Sequence, residues 1–287
     1  MNVRRVGVVG LGHMGSVLAA NLVGSGLDVV THDVAGSSTS PPGTVFASTI
    51  DELARDAGVV VCSLPDGAAS EQVARAIVRA EARATECVVD TSTIGVAAAR
   101  RIDTLFAAAG IGYVDAPVSG GVAGARARTL SVMYAGSDAA CLEAKPVLAG
   151  LSDRSRRVGE APGLGQALKL ANNFLSAATL AATSEAVAFG VAVGLDMAVM
   201  LDVLNVSSGQ SQATTDKFPT HVLTGRYAAG FANTLMAKDL RLYLEAAAAQ
   251  RGAPGDMAPV TASVWERFAE AEPDADFTRI YPFLEHA

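Results

Sequence analysis

Charged residues and cysteines are both scarce in this sequence. Only 18% of the 287 residues are charged, whereas 50% are hydrophobic. This balance excludes a disordered chain and indicates a compact protein with a substantial core. The three cysteines, Cys62, Cys87 and Cys141, lie far apart without a CxxC spacing. We therefore expect reduced core thiols rather than a disulfide framework.

An excess of basic residues is also lacking. The net charge of −7 argues against nucleic acid or an anionic membrane surface as the main partner. The histidines His13, His32, His221 and His286 show no metal-ligand spacing, so no metal site is expected. The apolar stretch 174–195 contains several hydroxyls and a glutamate, which predicts a buried alanine-rich helix in a soluble, cytoplasmic protein.

The sequence divides into two parts of different pattern. In the first part, alanine-rich stretches separate short valine-rich segments, as is typical of βαβ units around a parallel sheet. The predicted strands are Val6–Val9, Val29–His32, Val59–Ser63, Val88–Asp90, Tyr113–Asp115 and Leu130–Tyr134. In the second part, the predicted helices cover 165–194, 196–205, 234–250 and 258–271. We therefore predict an α/β fold, with a doubly wound, mostly parallel Rossmann-type domain over 1–162 and an all-α domain over 163–287.

A glycine-rich motif follows the first predicted strand. It is Gly10-Leu11-Gly12-His13-Met14-Gly15, and it opens a predicted helix that ends near Ser25. The first glycine permits a tight turn, the second lets the backbone approach a pyrophosphate, and the third allows the helix to pack closely on the strand. An ordinary glycine turn is the alternative, but the strand–turn–helix setting favours a dinucleotide.

Asp33 follows the second predicted strand, where it can select the cofactor. A carboxylate at this point accepts hydrogen bonds from the ribose hydroxyls and repels a 2′-phosphate. The residues after it, Val-Ala-Gly-Ser-Ser, provide no arginine that could hold such a phosphate. A solvated aspartate at a strand end is the alternative, yet the pattern favours NAD over NADP.

Two further loops follow the third and fourth predicted strands. They carry Leu64, Pro65 and Thr93, and ligands of open parallel sheets bind beyond the carboxyl ends of the strands. These residues are therefore candidate contacts of the nicotinamide half of the cofactor. A turn proline and a capping threonine are an equally good interpretation of the spacing alone.

The segment Ser119-Gly120-Gly121 follows another predicted strand end. Consecutive backbone N–H groups next to a hydroxyl can form a concave nest for an anion. A substrate carboxylate would fit such a nest, whereas the alternative is a simple turn.

Lys169 and Asn173 lie four residues apart in an apolar segment, and so on one face of a helix. A lysine acting as a general base works best with a pKa near the operating pH, so we expect desolvation or a nearby cation to lower its pKa. The alternative is a lysine whose head reaches water. By default, Lys238 and Asp239 would form an exposed ion pair of little worth.

Together these segments resemble the β-hydroxyacid dehydrogenase family, most of all its 3-hydroxyisobutyrate dehydrogenase branch. The matching segments are GLGHMG (10–15), THDV (31–34), SLP (63–65), TSTI (91–94), DAPVSGG (115–121), TLSVM (129–133), GLGQALKLANN (163–173), NVSSG (205–209) and FANTLMAKDL (231–240). Several motifs in the right order are far more specific than any single one.

The resemblance implies a role for each candidate residue. Lys169 matches the family's catalytic lysine, Asn173 its orienting asparagine, and Lys238 a lysine beside cofactor and substrate. An aspartate at Asp33 goes with the members that use NAD. The other matches are to the cofactor contacts Leu64, Pro65 and Thr93 and to the substrate-binding loop Ser119, Gly120 and Gly121.

The reaction that the resemblance implies is NAD-dependent oxidation of a small 3-hydroxy acid to its semialdehyde, with Lys169 as general acid and base. The alternatives are a 2-hydroxy-3-oxopropionate (tartronate semialdehyde) reductase, an imine reductase-like enzyme of the same fold, and a non-catalytic nucleotide-sensing module. Imine reductases usually lack the lysine. Arg128 stands where the family usually has glycine, and Gln210 and Gln212 replace a frequent arginine and aromatic residue in a loop that reaches toward the substrate. The particular 3-hydroxy acid is therefore left open.

The helical part also predicts an assembly. The segment 165–194 is apolar over more of its circumference than one small helical domain needs to cover. We therefore expect a homodimer or homotetramer joined through the helical halves, with the nucleotide domains outermost. The resemblance, which likens this half to the helical domain of 6-phosphogluconate dehydrogenase, implies the same.

Overall fold

The computed structural model describes residues 5–253 and 255–285. The chain forms two compact units, of which the first ends at Lys169 and the second begins at Leu170. One long helix carries residues of both units, because it runs from Leu164 to Ala192.

A nine-stranded sheet organises the first unit. Its strands are β1 (Val6–Val9), β2 (Val29–His32), β3 (Thr44–Phe46), β4 (Val59–Cys62), β5 (Cys87–Asp90), β6 (Gly112–Asp115), β7 (Val118–Ser119), β8 (Ser131–Ala135) and β9 (Arg154–Gly159). The order is β3-β2-β1-β4-β5-β6-β8-β7, with β9 beside β8. All pairs from β3 to β6 are parallel, whereas β8 runs antiparallel to β6 and β7.

Strand β1 lies between β2 and β4, so the chain crosses from one side of it to the other. Val6 is in register with Val29 of β2 and with Val59 of β4. In a doubly wound sheet this reversal opens a crevice at the carboxyl ends of the strands. The segment that follows β1 is therefore placed at the crevice.

Helices cover both faces of this sheet, because alternate strand residues face opposite sides. Val6 and Val8 belong to one buried cluster, whereas Val9 belongs to the other. The covering helices are α1 (Gly15–Gly24), α2 (Ile50–Asp56), α3 (Gly67–Arg79), α4 (Val96–Ala108), α5 (Gly121–Arg126) and α6 (Asp138–Leu151). The fold is the predicted Rossmann-type domain.

The second unit is built from helices around an aromatic core. They are the greater part of α7 (Leu164–Ala192), α8 (Met197–Leu204), a π-helix (Ala213–Val222), α9 (Asn233–Arg251), α10 (Met257–Ala271) and α11 (Ile280–Glu285). Trp265, Phe268 and Phe218 are fully buried at its centre. A single bridge between Ala232 and Asp276 is its β-structure within the described residues. The predicted all-α character is confirmed.

Helix α7 is long and apolar enough to cross a membrane, judged by length and composition alone. A core helix of a globular protein meets the same test. Gln166 and Asn173 on α7 are buried and hydrogen-bonded within the protein. Phe189 and Val193 are more than half exposed, so the stretch 174–195 is less buried than predicted. The cysteines are free thiols, two of them buried and Cys141 half-buried.

The first unit differs from expectation in its short and charged strands. All six predicted strands are present, two with the predicted bounds and four with ends shifted by one residue, but β3, β7 and β9 were not predicted. β3 and β7 have three residues and two residues, too few for a periodic pattern. β9 has the sequence Arg-Ser-Arg-Arg-Val-Gly, and pairing with β8 places it in the sheet.

Arg128 shows how the chain accommodates its departure from glycine. Its backbone keeps a left-handed φ of +57°, which costs a non-glycine residue about 1 kcal/mol. Its guanidinium donates to the carbonyls of Ala149 and Gly150 at 2.9 and 3.0 Å and to Ser25 Oγ at 2.7 Å. These bonds satisfy carbonyls at the end of α6 and offset the strain.

Candidate active site

The three fingerprint glycines are required for different structural reasons. A Cβ at Gly10 would collide with the carbonyl oxygen of Ser63, and one at Gly15 with the carbonyl oxygen of Gly10. A Cβ at Gly12, in contrast, would meet no protein atom within 4 Å. Packing therefore explains the first and third glycines, whereas the second keeps open a space beside the start of α1. The motif predicts that a pyrophosphate would lie in that space.

Asp33 lies against this fingerprint. Its Oδ2 accepts the backbone N–H of Leu11 at 2.6 Å, and its Oδ1 accepts that of Ala35 at 2.8 Å. The half-buried carboxylate is thus fixed at the turn where the ribose of a bound dinucleotide would lie. Each carboxylate oxygen has a second lone pair for a ribose hydroxyl.

The loops after β4 and β5 are tied to each other. The backbone N–H of Leu64 donates to Ser92 Oγ at 2.8 Å, and Ser92 N–H donates to Asp90 Oδ1 at 3.0 Å. Thr93, the next residue, is therefore held beside the loop of Leu64 and Pro65. These candidate contacts come together at the carboxyl ends of adjacent strands, as expected.

Both glycines of the proposed anion nest have a positive φ. Gly120 and Gly121 have φ values of +130° and +63°, which residues with a side chain rarely adopt. Ser119 ends β7 and is in register with Ser131 of β8. The sheet therefore fixes where the two glycines begin.

Lys169 and Asn173 lie one turn apart on α7. Their exposed fractions are 7% and 5%, which argues against a lysine that extends along the surface into water. Asn173 Nδ2 donates to Asp239 Oδ2 at 2.6 Å, and Asn172 Nδ2 donates to Asn173 Oδ1 at 3.1 Å. The amide is thus held at both ends.

The ion pair of Lys238 and Asp239 is not the exposed pair expected by default. Lys238 Nζ lies 3.3 Å from Asp239 Oδ1, and Asp239 is only 3% exposed. Asp239 therefore joins Lys238 to Asn173 within the second unit. Asp239 adjoins Lys238, but the sequence does not predict its role, because its contact with Asn173 spans 66 positions.

Two buried carboxyls end β5 and β6. Burial raises the pKa of Asp90. Burial also raises the pKa of Asp115 to about 7. The charge of Asp90 raises this pKa further, whereas backbone hydrogen bonds from Gln166 and Gly163 lower it. Asp115 Oδ2 accepts a hydrogen bond from the N–H of Gln166 at 2.8 Å. This N–H is in the first turn of α7 and so has no carbonyl partner within the helix.

No cluster of three or more His, Cys, Asp or Glu side chains that could hold a metal ion occurs within residues 5–253 and 255–285. Three of the four histidines fall in this range, and His286 lies outside it. The candidate donors in the two units are lysines, amides and backbone N–H groups, which suit anions and hydroxyls.

Comparison with known proteins gives the same class for both units. Residues 5–159 match the family model described as the NAD binding domain of 6-phosphogluconate dehydrogenase. Residues 163–284 match the model described as NAD-binding of NADP-dependent 3-hydroxyisobutyrate dehydrogenase.

Full-length relatives match as well. A probable 3-hydroxyisobutyrate dehydrogenase of Mycobacterium tuberculosis is 34% identical over 286 residues, which cover 96% of each chain. An NAD-dependent L-serine dehydrogenase of Pseudomonas aeruginosa is 34% identical over 260 residues, 86% of each chain. A solved structure of the M. tuberculosis 3-hydroxyisobutyrate dehydrogenase with L-serine has a TM-score of 0.91 and 33% identity, covering 98% of this chain and 99% of that one.

The chain combines a dinucleotide fingerprint with a buried lysine and a buried amide on one helix. Together with these matches, this defines an NAD(P)-dependent oxidoreductase that acts on CH–OH groups. The chain belongs to the β-hydroxyacid dehydrogenase family, and within it is most similar to 3-hydroxyisobutyrate dehydrogenase.

Proposed function

We propose that this protein oxidises a small 3-hydroxy acid to the corresponding semialdehyde with NAD. The observation that carries the proposal is the burial of Lys169 on α7, one turn before Asn173, in a chain with a dinucleotide fingerprint. A non-catalytic nucleotide sensor has no need to bury this lysine. The lysine also counts against an imine reductase-like enzyme.

Each protein group has a defined part in the proposed reaction. The nest at 119–121 binds the substrate carboxylate through backbone N–H groups and the hydroxyl of Ser119. Lys169 Nζ takes the proton of the substrate hydroxyl while the adjacent carbon loses a hydride, and it returns a proton in the reverse direction. Asn173 orients substrate and lysine, and Lys238 lies beside cofactor and substrate. A bound nicotinamide supplies the hydride acceptor.

We propose that residues of the first unit hold the cofactor. The open space at Gly12 accepts the pyrophosphate, Asp33 the ribose hydroxyls, and the loops of Leu64 and Thr93 the nicotinamide half. Asp33 supports NAD over NADP, since a 2′-phosphate would face its carboxylate.

The substrate class follows from the relatives and the nest. The relatives' names contain 3-hydroxyisobutyrate and L-serine, and both molecules carry a hydroxyl on carbon 3, counted with the carboxylate carbon as carbon 1. A tartronate semialdehyde reductase, which runs toward the alcohol with NADH, is the second candidate, since the same nest would hold its substrate.

A spectrophotometric panel tests the proposal. NADH formation is followed with 3-hydroxyisobutyrate, L-serine, 3-hydroxypropionate and glycerate, and NADH consumption with tartronate semialdehyde and a cyclic imine. We expect NADH formation with at least one 3-hydroxy acid. Turnover of the imine alone, or of no compound despite tight NADH binding, would refute the proposal.

The location, the partners and the assembly of the protein are also proposed. We place the protein in the cytoplasm, with a small carboxylate as its partner and with no role for nucleic acid or membrane. We also propose a homodimer or homotetramer, supported by exposed apolar side chains of the second unit. These include Leu175, Phe189, Val193, Val199 and Val203, each more than half exposed.

A further inference from the structure

Gln166 is a fully buried side chain whose amide is bound at both ends. Its Oε1 accepts the backbone N–H groups of Ile94 and Gly95 at 2.9 and 3.2 Å. Its Nε2 donates to the carbonyl oxygen of Ser92 at 3.0 Å. These partners are more than 70 positions away in sequence, and all belong to one loop.

That loop is one of those proposed to contact the cofactor. It carries Thr93 between two residues that Gln166 binds, Ser92 and Ile94. Ser92 Oγ also accepts the N–H of Leu64. A single buried amide therefore fixes one cofactor loop directly and the other through one serine.

The backbone of Gln166 lies in the first turn of α7, which is seated tightly on the sheet. Its N–H donates to Asp115 Oδ2 at 2.8 Å. A Cβ at the preceding Gly165 would lie 2.6 Å from the carbonyl oxygen of Met133 and 2.8 Å from Asp115 Oδ2. This turn has no room to shift toward β6 or β8.

Lys169 follows Gln166 by three residues on the same helix and in the same compact unit. Residues at this spacing are neighbours on a helix surface. The position of Lys169 relative to the cofactor loops is thus set through the bonds of Gln166. A misplacement of about 1 Å at a reacting group can cost about a hundredfold in rate.

We propose that Gln166 is a positioning residue that holds the loops of Leu64 and Thr93 in register with the turn of α7 that carries Lys169. The inference rests on the proposed function, since it assumes that these loops contact the cofactor and that Lys169 moves the proton. Gln166 itself touches neither reactant.

Two variants separate positioning from a merely structural role. Gln166→Met keeps the length of the side chain and removes its three side-chain hydrogen bonds, whereas the backbone bond to Asp115 is kept. Gln166→Glu keeps an acceptor for Ile94 and Gly95 and replaces only the donor to Ser92. The matched control is Thr85→Val, which removes the buried hydroxyl that donates to the carbonyls of Ala54 and Ala57 at 3.2 and 2.9 Å elsewhere in the first unit.

The readouts are the thermal midpoint, the Kd for NADH measured by fluorescence without substrate, and kcat with the best 3-hydroxy acid. For Gln166→Met we expect a Kd about tenfold higher and a kcat at least about tenfold lower. Gln166→Glu should recover part of both losses. Thr85→Val should lower the thermal midpoint comparably and leave Kd and kcat within about twofold.

A Gln166→Met protein that is destabilised like Thr85→Val but keeps its Kd and kcat would overturn the inference and leave the proposed function intact. If Gln166→Met does not fold, Gln166→Glu decides, and wild-type values in it refute the positioning role. If the wild-type protein binds NADH but turns over no 3-hydroxy acid, the proposed function fails. The NADH Kd of the variants then still tests whether Gln166 holds the cofactor loops.

Discussion

Asn173 Nδ2 lies 2.6 Å from Asp239 Oδ2, although 66 positions separate the two residues. A short bond from an amide to a buried carboxylate is charge-assisted, and such bonds are stronger than those between neutral groups. Asp239 also pairs with Lys238 through its other oxygen. One carboxylate therefore orients both second-unit residues that the family resemblance assigned to the site.

Replacing Asp239 should reduce turnover. In Asp239→Asn the charge that orients Asn173 and Lys238 is lost, and we expect kcat/KM to fall roughly tenfold to a hundredfold, for about 1–3 kcal/mol of lost interaction. Steady-state kinetics measure the effect. Asp202→Asn, at an exposed position of the same unit, is the control, and equal kinetics for both variants would contradict the orienting role.

Lys169→Ala should remove the acid–base group and leave cofactor binding nearly intact. We expect turnover to fall by roughly two to four orders of magnitude with little change in the Kd for NADH. The exposed Lys145 provides the matched control Lys145→Ala. A Lys169→Ala protein that retains a tenth of wild-type turnover would show that the lysine has no acid–base role.

Asp33 should make the enzyme prefer NAD. We expect kcat/KM to be at least roughly tenfold higher with NAD than with NADP, which corresponds to about 1.4 kcal/mol. Asp33→Ser should narrow this ratio, because the repulsion of a 2′-phosphate is removed. Equal efficiency of the wild-type protein with both cofactors would refute the role of Asp33.

Asp115 should make stability depend on pH. Burial raises its pKa in the folded protein from 3.8 to about 7, so between these values the folded state binds the additional proton. This proton binding stabilises the folded protein fully below the pKa of Asp115 in the unfolded chain. The stabilisation is lost as pH rises through the pKa in the folded protein, by up to about 1.4 kcal/mol per pH unit. Urea unfolding from pH 5 to 8 should show Asp115→Asn gaining stability relative to wild type as pH rises. Parallel curves, like those expected for the exposed Asp202→Asn, would contradict this.

The second unit should mediate assembly. Phe189 and Val193 on α7 are 71% and 63% exposed, and apolar faces of this kind usually mark an interface. Light scattering at micromolar concentration should give a multiple of the 29.2 kDa chain mass, and Phe189→Glu should shift the mass downward. A fully active monomer would refute the proposed assembly.

The sequence by itself determined the features that depend on neighbouring residues. The positions of the main strands along the chain, the glycine fingerprint and the spacing of Lys169 and Asn173 follow from local periodicity and turn chemistry. The all-α second part follows from the same periodicity. These features need no knowledge of distant contacts.

Tertiary structure alone decided the features that depend on a partner far along the chain. The arginine-rich β9 is a strand because β8 pairs with it. Gln166 and Asp239 gain their importance from bonds to Ser92 and Asn173. A buried polar side chain must find hydrogen-bond partners, but its own sequence position does not specify which partners the fold brings to it.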